Sequence, residues 1–236
     1  MTVGGGGNGT SVVKSRTSGD PPERPGAQGW VPDRLSKKSV AAGVDARRGC
    51  ELYRDATHGV PGDGPLDAPL MVVGEQPGDQ EDREGLPFVG PAGRLLDRAL
   101  DEAGLDPSAI YRTNAVKHFR FDPGRAGKRI HRGPSRVHVV ACGPWLAAEL
   151  DLVRPRGVVL LGATAGGAVY GSSFRVGTSR GHSLEWPGDG IGSSWTPTWA
   201  VATTHPSAVL RSRNRDQDYA ALVSDLEVAA SLTSTA

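Results

Sequence analysis

The sequence predicts an α/β domain of three layers, in which a four-stranded parallel sheet lies between layers of helices. Two observations favour this class. Short runs that are apolar at nearly every position, as buried parallel strands are, alternate with segments of helical periodicity. Each run is followed by Gly, Pro or polar residues that are typical of loops. The 236 residues are enough for one such domain and a tail.

The N-terminal part of the chain differs in composition from the rest. Residues 1–33 are rich in Gly, Ser, Pro and charge and have almost no apolar periodicity, which predicts a disordered tail. The domain is therefore expected to span residues 34–236. Its first elements are one or two short helices within residues 35–53, followed by a Gly- and Pro-rich loop.

The expected strands and helices then alternate along the chain. The predicted parallel strands are residues 70–73, 110–116, 157–161 and 199–203. Helices are expected over residues 91–103, 135–153 and 163–170, and a last helix lies near the C-terminus. The second of these helices is expected to be interrupted at Gly143 and Pro144. Residues 182–186 are predicted to form an edge strand that ends in a turn at residues 187–190.

Charge is unevenly distributed along the chain. The net charge of +1 indicates no class of partner, but residues 117–136 contain seven Lys and Arg against one acid, Asp122. Residues 117–134 are expected to form a long basic loop, which also carries Phe119 and Phe121. Loops of this length are usually functional or disordered, and the two aromatic side chains favour a functional loop.

Several protein classes are disfavoured by the composition. Two cysteines, Cys50 and Cys142, are too few for the disulfide framework of a secreted domain. No apolar run reaches the roughly 18 residues of a membrane span, and the N-terminus lacks the apolar segment of a signal peptide. These features predict a cytoplasmic protein that does not interact with membranes.

Polar side chains follow the ends of three predicted strands. Glu75 and Gln76 follow the first, Asn114 lies near the end of the second, and His205 follows the fourth. The carboxyl ends of parallel strands meet at the edge of a sheet where ligands bind. The sequence therefore predicts one site formed by these side chains.

Four segments carry a resemblance to a known family. They are Gly-Glu-Gln-Pro-Gly at 74–78, Leu-Pro-Phe-Val-Gly-Pro-Ala-Gly at 86–93, Thr-Asn-Ala-Val-Lys-His-Phe at 113–119 and His-Pro-Ser at 205–207. In this order they resemble the uracil-DNA glycosylase superfamily, and within it the UdgX type of the iron–sulfur branch. The resemblance extends from about Cys50 to Val228. It implies a monomeric DNA-repair enzyme that cleaves the N-glycosidic bond of deoxyuridine in single-stranded or duplex DNA.

The resemblance also implies roles in binding the base. Phe88 would stack on a uracil flipped out of the DNA, and Asn114 would bind its Watson–Crick edge, while Gly74 and Gln76 would line the pocket. This agrees with the chemistry, because a glycosylase must take the base out of the stack. An amide also supplies the donor and the acceptor that uracil O4 and N3–H require.

Three residues are implied to be catalytic: Glu75, His131 and His205. His205 would stabilise the departing uracil anion, and Glu75 would stabilise the oxocarbenium-like sugar or orient water. The segment 127–131, Gly-Lys-Arg-Ile-His, is similar to the UdgX loop whose histidine attacks C1′ and stays bound to DNA, so His131 is the candidate nucleophile. The implied DNA contacts are Lys128, Arg129, Ser207 and Arg211.

Two alternatives stay open at this point. The loop that carries His131 is one residue shorter than the family pattern and has one arginine fewer. If His131 cannot reach the sugar, water would attack instead and the enzyme would turn over. An alternative of another class is a non-catalytic protein that binds uracil-containing DNA.

The resemblance further implies a [4Fe–4S] cluster. Cys50, His118 and Cys142 match three of the four ligand positions, but Arg47 stands at the position of the first cysteine. A [4Fe–4S] cluster normally has four protein ligands. A protein with a cluster and a protein without one are therefore both open.

Overall fold

The computed structural model describes residues 24–46, 49–188 and 191–235. Three parts of the chain for which the sequence makes predictions lie outside these ranges. They are the expected tail up to residue 23, the position of Arg47, and Asp189 and Gly190 of the expected turn. Residues 24–33 are packed against the domain, although the sequence places them in the tail. The backbone N–H of Ala27 donates to the carbonyl of Ala141 at 2.8 Å, and Ala27 and Trp30 contribute to an apolar cluster.

The described residues form seven strands and eight α-helices. The strands are β1 (Leu70–Gly74), β2 (Ile110–Asn114), β3 (Phe121–Pro123), β4 (Arg129–His131), β5 (Gly157–Leu161), β6 (Ser183–Leu184) and β7 (Trp199–Thr203). The helices are α1 (Lys37–Asp45), α2 (Asp79–Glu84), α3 (Pro91–Glu102), α4 (Arg136–Val153), α5 (Gly162–Tyr170), α6 (Val176–Ser179), α7 (Pro206–Arg211) and α8 (Arg215–Ser234). No described helix is both long enough and apolar enough to span a membrane.

The main sheet has five strands in the order β2-β1-β5-β7-β6. The first four are parallel, as predicted. The fifth, β6, pairs with β7 in the antiparallel direction and corresponds to the predicted edge strand. Because the four parallel strands point the same way, their carboxyl ends lie along one edge of the sheet.

Alternating residues of the central strands cover the two faces of the sheet, as the pleat requires. Val72, Val159 and Val201 face a cluster with α3, α7 and α8. The other face packs against α4 and α5 in a second cluster. It is covered by Met71 and Val73 of β1 and by Val158 and Leu160 of β5. The arrangement is the predicted three-layer α/β/α domain.

Helix α4 is continuous, and the interruption predicted at Gly143 and Pro144 is wrong. A proline inside a helix costs about 3 kcal/mol relative to alanine. On both sides of Pro144 the helix buries large side chains, among them Val139, Trp145 and Leu146. Burying such a side chain contributes about 1.5–3 kcal/mol, so tertiary packing outweighs the local cost.

The basic segment at residues 117–134, predicted as a loop, contains an antiparallel hairpin. Strands β3 and β4 pair Phe121 with His131 and Pro123 with Arg129. A three-residue turn of 3₁₀ helix, Arg125–Gly127, connects them. We call residues 121–131 the histidine hairpin, because its last residue is His131.

Candidate active site

Side chains from three strand ends and the histidine hairpin line one cavity of about 390 Å³. Those predicted from the sequence to form the site are Gln76, Phe88, Asn114, His131, His205, Ser207 and Arg211. Glu75 lies next to this group, with its Oε1 3.7 Å from Nε2 of His131. Larger hollows exist elsewhere on the described surface, but they contain none of the predicted catalytic residues. The topology therefore collects the predicted catalytic and base-binding residues at one place.

Gly74, Phe88 and Asn114 form a tightly packed part of this site. A Cβ atom on Gly74 would lie 2.4 Å from Oδ1 of Asn114 and 2.7 Å from Cζ of Phe88. Only glycine leaves space for both side chains at the end of β1. Asn114 is 3% exposed and Phe88 is 8% exposed, so the amide and the ring form a largely desolvated surface.

The backbone of Phe88 is strained. Its φ of 59° lies in the left-handed region, which is unusual for a bulky residue and costs on the order of 1–3 kcal/mol. The carbonyl oxygen of Phe88 also lies where a Cβ of residue 93 would be, at 1.6 Å, so the first turn of α3 requires Gly93. Strain of this kind is concentrated at ligand-binding sites, and here it directs an aromatic ring into the cavity.

His205 is held as a neutral imidazole with a defined tautomer. Its Nδ1 accepts the backbone N–H of Ser207 at 3.1 Å, at the N-terminus of α7. The hydrogen of the neutral ring is therefore on Nε2, which is free to donate to a ligand. Burial, together with the charges of Arg211 and His131, lowers the pKa of His205 to about 4. A neutral N–H donor is thus available throughout the physiological pH range.

The side-chain amide of Gln76 holds the histidine hairpin. Its Oε1 accepts the backbone N–H of Arg120 at 3.2 Å, and its Nε2 donates to the carbonyls of Arg120 at 3.2 Å and Arg132 at 2.9 Å. These bonds fix which end of the amide is nitrogen. The side chain of Gln76 therefore connects the end of β1 to both sides of the hairpin.

The same amide contacts the ring of His131. Nε2 of Gln76 lies 3.0 Å from Nε2 of His131. The two hydrogens of this amide are shared among the ring and the carbonyls of Arg120 and Arg132, and when one of them is donated to His131, Nε2 of His131 accepts it and the ring hydrogen is on Nδ1. The side chain of His131 is 50% exposed. A lone pair on Nε2 is the form of imidazole that can act as a nucleophile.

Glu75 has a partner that the sequence analysis missed. Oγ1 of Thr164, in the first turn of α5, donates to Oε2 of Glu75 at 2.5 Å. This bond leaves Oε1 of Glu75 facing His131. The signal in the sequence was weak, because Thr164 follows a different strand, 89 residues away from Glu75.

Arg129 has structural contacts that the sequence did not indicate. Its guanidinium forms ion pairs with Asp79 and with the buried carboxylate of Asp82. It also lies over the rings of Phe119 and Phe121, 5.3 and 5.1 Å from their centroids. These contacts attach the hairpin to α2. The phosphate contact expected of Arg129 stays a prediction, whereas Lys128, at the exposed tip, has its side chain in solvent.

Cys50 and Cys142 lie together in a separate apolar cluster with Val116 and Val139. The hydrogen bond between the two thiols lowers the pKa of Cys50. The same bond, with burial, raises the pKa of Cys142 well above its usual value. His118 is also buried.

The donors in this region do not match the ligand set of a [4Fe–4S] cluster. Within the described ranges, no three His, Cys, Asp or Glu side chains come together as a metal site. Arg47, at the position of the first cysteine, has a guanidinium that is not a cluster ligand, and it lies outside the described residues. The described donors fall short of the four that such a cluster takes, and no step of the chemistry proposed for this site needs one.

An α/β/α fold with an amide, an aromatic ring and two imidazoles around one cavity, and a carboxylate beside it, has the groups that an enzyme excising a base from DNA requires. Residues 61–227 match the family model of the uracil DNA glycosylase superfamily, and the chain belongs to this superfamily.

Individual relatives are named type-4 uracil-DNA glycosylase. The chain is 36% identical to that of Thermotoga maritima over 168 residues, which is 71% of this chain and 79% of the relative. It is 33% identical to that of Sulfurisphaera tokodaii over 184 residues, covering 76% of this chain and 78% of the relative.

Proposed function

We propose that this protein is a uracil-DNA glycosylase of the UdgX type, which excises uracil from DNA and then binds the abasic sugar covalently through His131. One observation carries the proposal. Phe88, Asn114, His131 and His205, which lie far apart in the sequence, line the same cavity. Membership of the superfamily and the named relatives support the first part, uracil excision by an N-glycosyl hydrolase.

The base would be recognised by stacking and edge hydrogen bonds. Uracil flipped into the cavity would stack on Phe88 and pair its N3–H and O4 with the amide of Asn114. A good bidentate contact to a base edge contributes about 1–3 kcal/mol of discrimination. Because both side chains are already desolvated, little reorganisation is needed when the base enters.

Bond cleavage would be assisted from both sides of the glycosidic bond. The electrons of the C1′–N1 bond leave with uracil, and the Nε2–H of His205 donates to the developing anion. Positive charge develops on the sugar, and the carboxylate of Glu75 stabilises it. The hydrogen bond from Thr164 holds this carboxylate in place. In known enzymes, removing one preorganised group that stabilises charge in the transition state lowers the rate by about 10²–10³.

Covalent capture would follow from the position and tautomer of His131. Nε2 leaves its contact with Gln76, its lone pair forms a bond to C1′ of the sugar from which uracil has departed, and the resulting imidazolium loses its Nδ1 proton to solvent. Gln76 and Arg129 support this step because they fix the hairpin that carries the histidine. The shorter loop still leaves His131 on the lining of the cavity. Lys128, Arg129, Ser207 and Arg211 are the proposed phosphate contacts.

A denaturing gel tests both parts of the proposal. An oligonucleotide with one deoxyuridine, single-stranded or in a duplex, is mixed with the protein, heated in detergent and separated. The wild-type protein should give a slow band that contains protein and DNA, together with one equivalent of free uracil. His131→Ser should give no such band but should still release uracil and leave an alkali-labile site.

The matched control is His182→Ser, which makes the same change at an exposed histidine outside the cavity. It should behave as the wild type. A slow band that persists in His131→Ser would exclude His131 as the nucleophile. Free uracil without a slow band would support a glycosylase that uses water. Binding of the oligonucleotide without release of uracil would favour the non-catalytic alternative.

A further inference from the structure

A fully buried ion pair lies directly behind the proposed base-reading residue. Nζ of Lys117 is 2.6 Å from Oε2 of Glu149, and both side chains are 0% exposed. Lys117 follows β2, and Glu149 lies on α4, so the pair connects the sheet to a helix on one of its faces. Neither residue lines the cavity.

The charged groups of this pair are completely hydrogen-bonded. The ammonium of Lys117 donates to Oε2 of Glu149 at 2.6 Å, to Oγ1 of Thr113 at 2.6 Å and to the carbonyl of Asn114 at 2.9 Å. These are the three donors that an ammonium has. Glu149 also accepts from Oγ1 of Thr113 at 2.6 Å and, on Oε1, from the backbone N–H of Gly62 at 2.8 Å.

Stability alone does not explain a network of this kind. Replacing a buried ion pair by neutral or apolar groups of similar volume is often neutral or even stabilising, because removing two charges from water is costly. The network has a second effect besides stability, which is to hold the backbone of a residue in the cavity. One of the three donors of Lys117 is used on the backbone of Asn114, the residue whose side chain faces the base.

The backbone around Asn114 is fixed from two directions. On the side of β1, the N–H of Ala115 donates to the carbonyl of Gly74 at 2.9 Å, and the N–H of Val116 donates to the carbonyl of Glu75 at 3.0 Å. On the other side, the ammonium of Lys117 binds the carbonyl of Asn114. The peptide group that determines where the amide points is therefore held between the end of β1 and a buried charge.

We propose that Lys117 is a positioning residue for uracil recognition, which holds Asn114 in the orientation that reads the base, while Glu149 neutralises its charge. The inference rests on the proposed function. It predicts that the bond from Lys117 to Asn114 affects excision of uracil and not general affinity for DNA.

The decisive variant is Lys117→Met combined with Glu149→Gln. The glutamine keeps an acceptor for Gly62 and can donate to Thr113, so no buried charge remains unpaired. The double variant should fold with a Tm close to that of the wild type. Its single-turnover rate of uracil excision should fall by about 10- to 100-fold, the cost of small misplacements of a catalytic group. Its Kd for an undamaged oligonucleotide should not change.

The single variants and a matched surface variant complete the design. Lys117→Met alone leaves the carboxylate of Glu149 unpaired and should lower the Tm by roughly 10 °C. Lys37→Met makes the same change in an ion pair with Asp63 that also spans 2.6 Å but is about half exposed, and it should change neither Tm nor excision rate. A double variant with the excision rate of the wild type would overturn the inference.

A measurement on the wild-type protein covers the case in which the double variant does not fold. The buried ammonium of Lys117 should exchange slowly with solvent and give a ¹⁵Nζ signal in NMR spectra. Titration with free uracil should shift this signal, because Asn114 lies between them, and a signal that does not respond would overturn the inference. A wild-type protein that releases no uracil would reject the proposed function itself, a result distinct from an unaffected double variant.

Discussion

Gly74→Ala is the sharpest test of the packing at the base site. The new Cβ would lie 2.7 Å from Cζ of Phe88 and 2.4 Å from Oδ1 of Asn114. Carbon atoms in contact prefer about 3.5–4.0 Å, so the ring must move by roughly 1 Å, and the amide must move as well. Both contacted atoms are at the far ends of side chains, which can give way without unfolding the sheet.

Two magnitudes follow from this displacement. Overpacking of this kind costs about 1–3 kcal/mol, which corresponds to a loss of roughly 2–12 °C in Tm for a domain of this size. A misplacement of about 1 Å at a reacting centre can cost on the order of 10²-fold in rate. Gly74→Ala should therefore remain folded at 25 °C and lose about 100-fold in single-turnover uracil excision.

The assay compares Gly74→Ala with Gly167→Ala under the same conditions. A Cβ on Gly167 meets no atom within 4 Å, and this position lies inside α5, where alanine is favoured over glycine by up to about 1 kcal/mol. Gly167→Ala should keep its activity and gain slightly in Tm. Wild-type excision by Gly74→Ala would refute the placement of Phe88 and Asn114 around the base.

Three further outcomes are expected. Asn114→Asp replaces the donor of the amide by a carboxylate that repels O4 of uracil, so excision should fall by about 10- to 100-fold, and an unchanged rate would exclude Asn114 as the reader of the base. NMR should show the hydrogen of His205 on Nε2 and a titration midpoint near pH 4. Because this pKa is lowered in the folded state, the contribution of His205 to stability should be complete above about pH 6.5 and should decline as the pH falls towards 4. A midpoint near 6.5 would contradict its burial. Arg129→Met leaves Asp82 buried and unpaired and should cost about 3–5 kcal/mol in urea unfolding, whereas Arg83→Met, in an exposed pair with Asp79, should cost less than about 1 kcal/mol. Equal losses would show that the hairpin is held by other contacts.

Much of the cavity was predictable because apolar runs mark the strands, polar residues mark the ends of those strands, and the ends of parallel strands meet at one edge of a sheet. Apolar runs located β1, β2 and β7, and polar residues such as Asn114 and His205 stood at their ends. Parallel strands bring such residues to one edge. The family resemblance added His131, whose position depends on long-range contacts and follows from no periodicity.

The histidine hairpin was missed because its strands carry no local pattern of their own. Residues 121–123 and 129–131 are only three residues long each, which is too short for an alternation of apolar and polar residues to mark them. They pair because Gln76 attaches them to the end of β1 and Arg129 attaches them to α2. Contacts between residues about 50 positions apart cannot be read from a single sequence.

The buried pair of Lys117 and Glu149 was also missed, although a signal existed. Glu149 follows the apolar run 145–148 of α4 and precedes Leu150. An acid at such a position indicates a buried partner, because an unpaired charge is not tolerated there. The identity of that partner, 32 residues away, follows only from the fold.

The contacts that hold the histidine hairpin are made by residues on either side of its turn, and this leaves the turn itself for an independent use. The connection at Arg125–Gly127 is exposed and includes Ala126 with a φ of 54°. Because the contacts of Gln76 and Arg129 do not involve this turn, a change in its length is compatible with the proposed position of His131. The same turn is a suitable position for a fluorophore that reports when the protein engages a lesion.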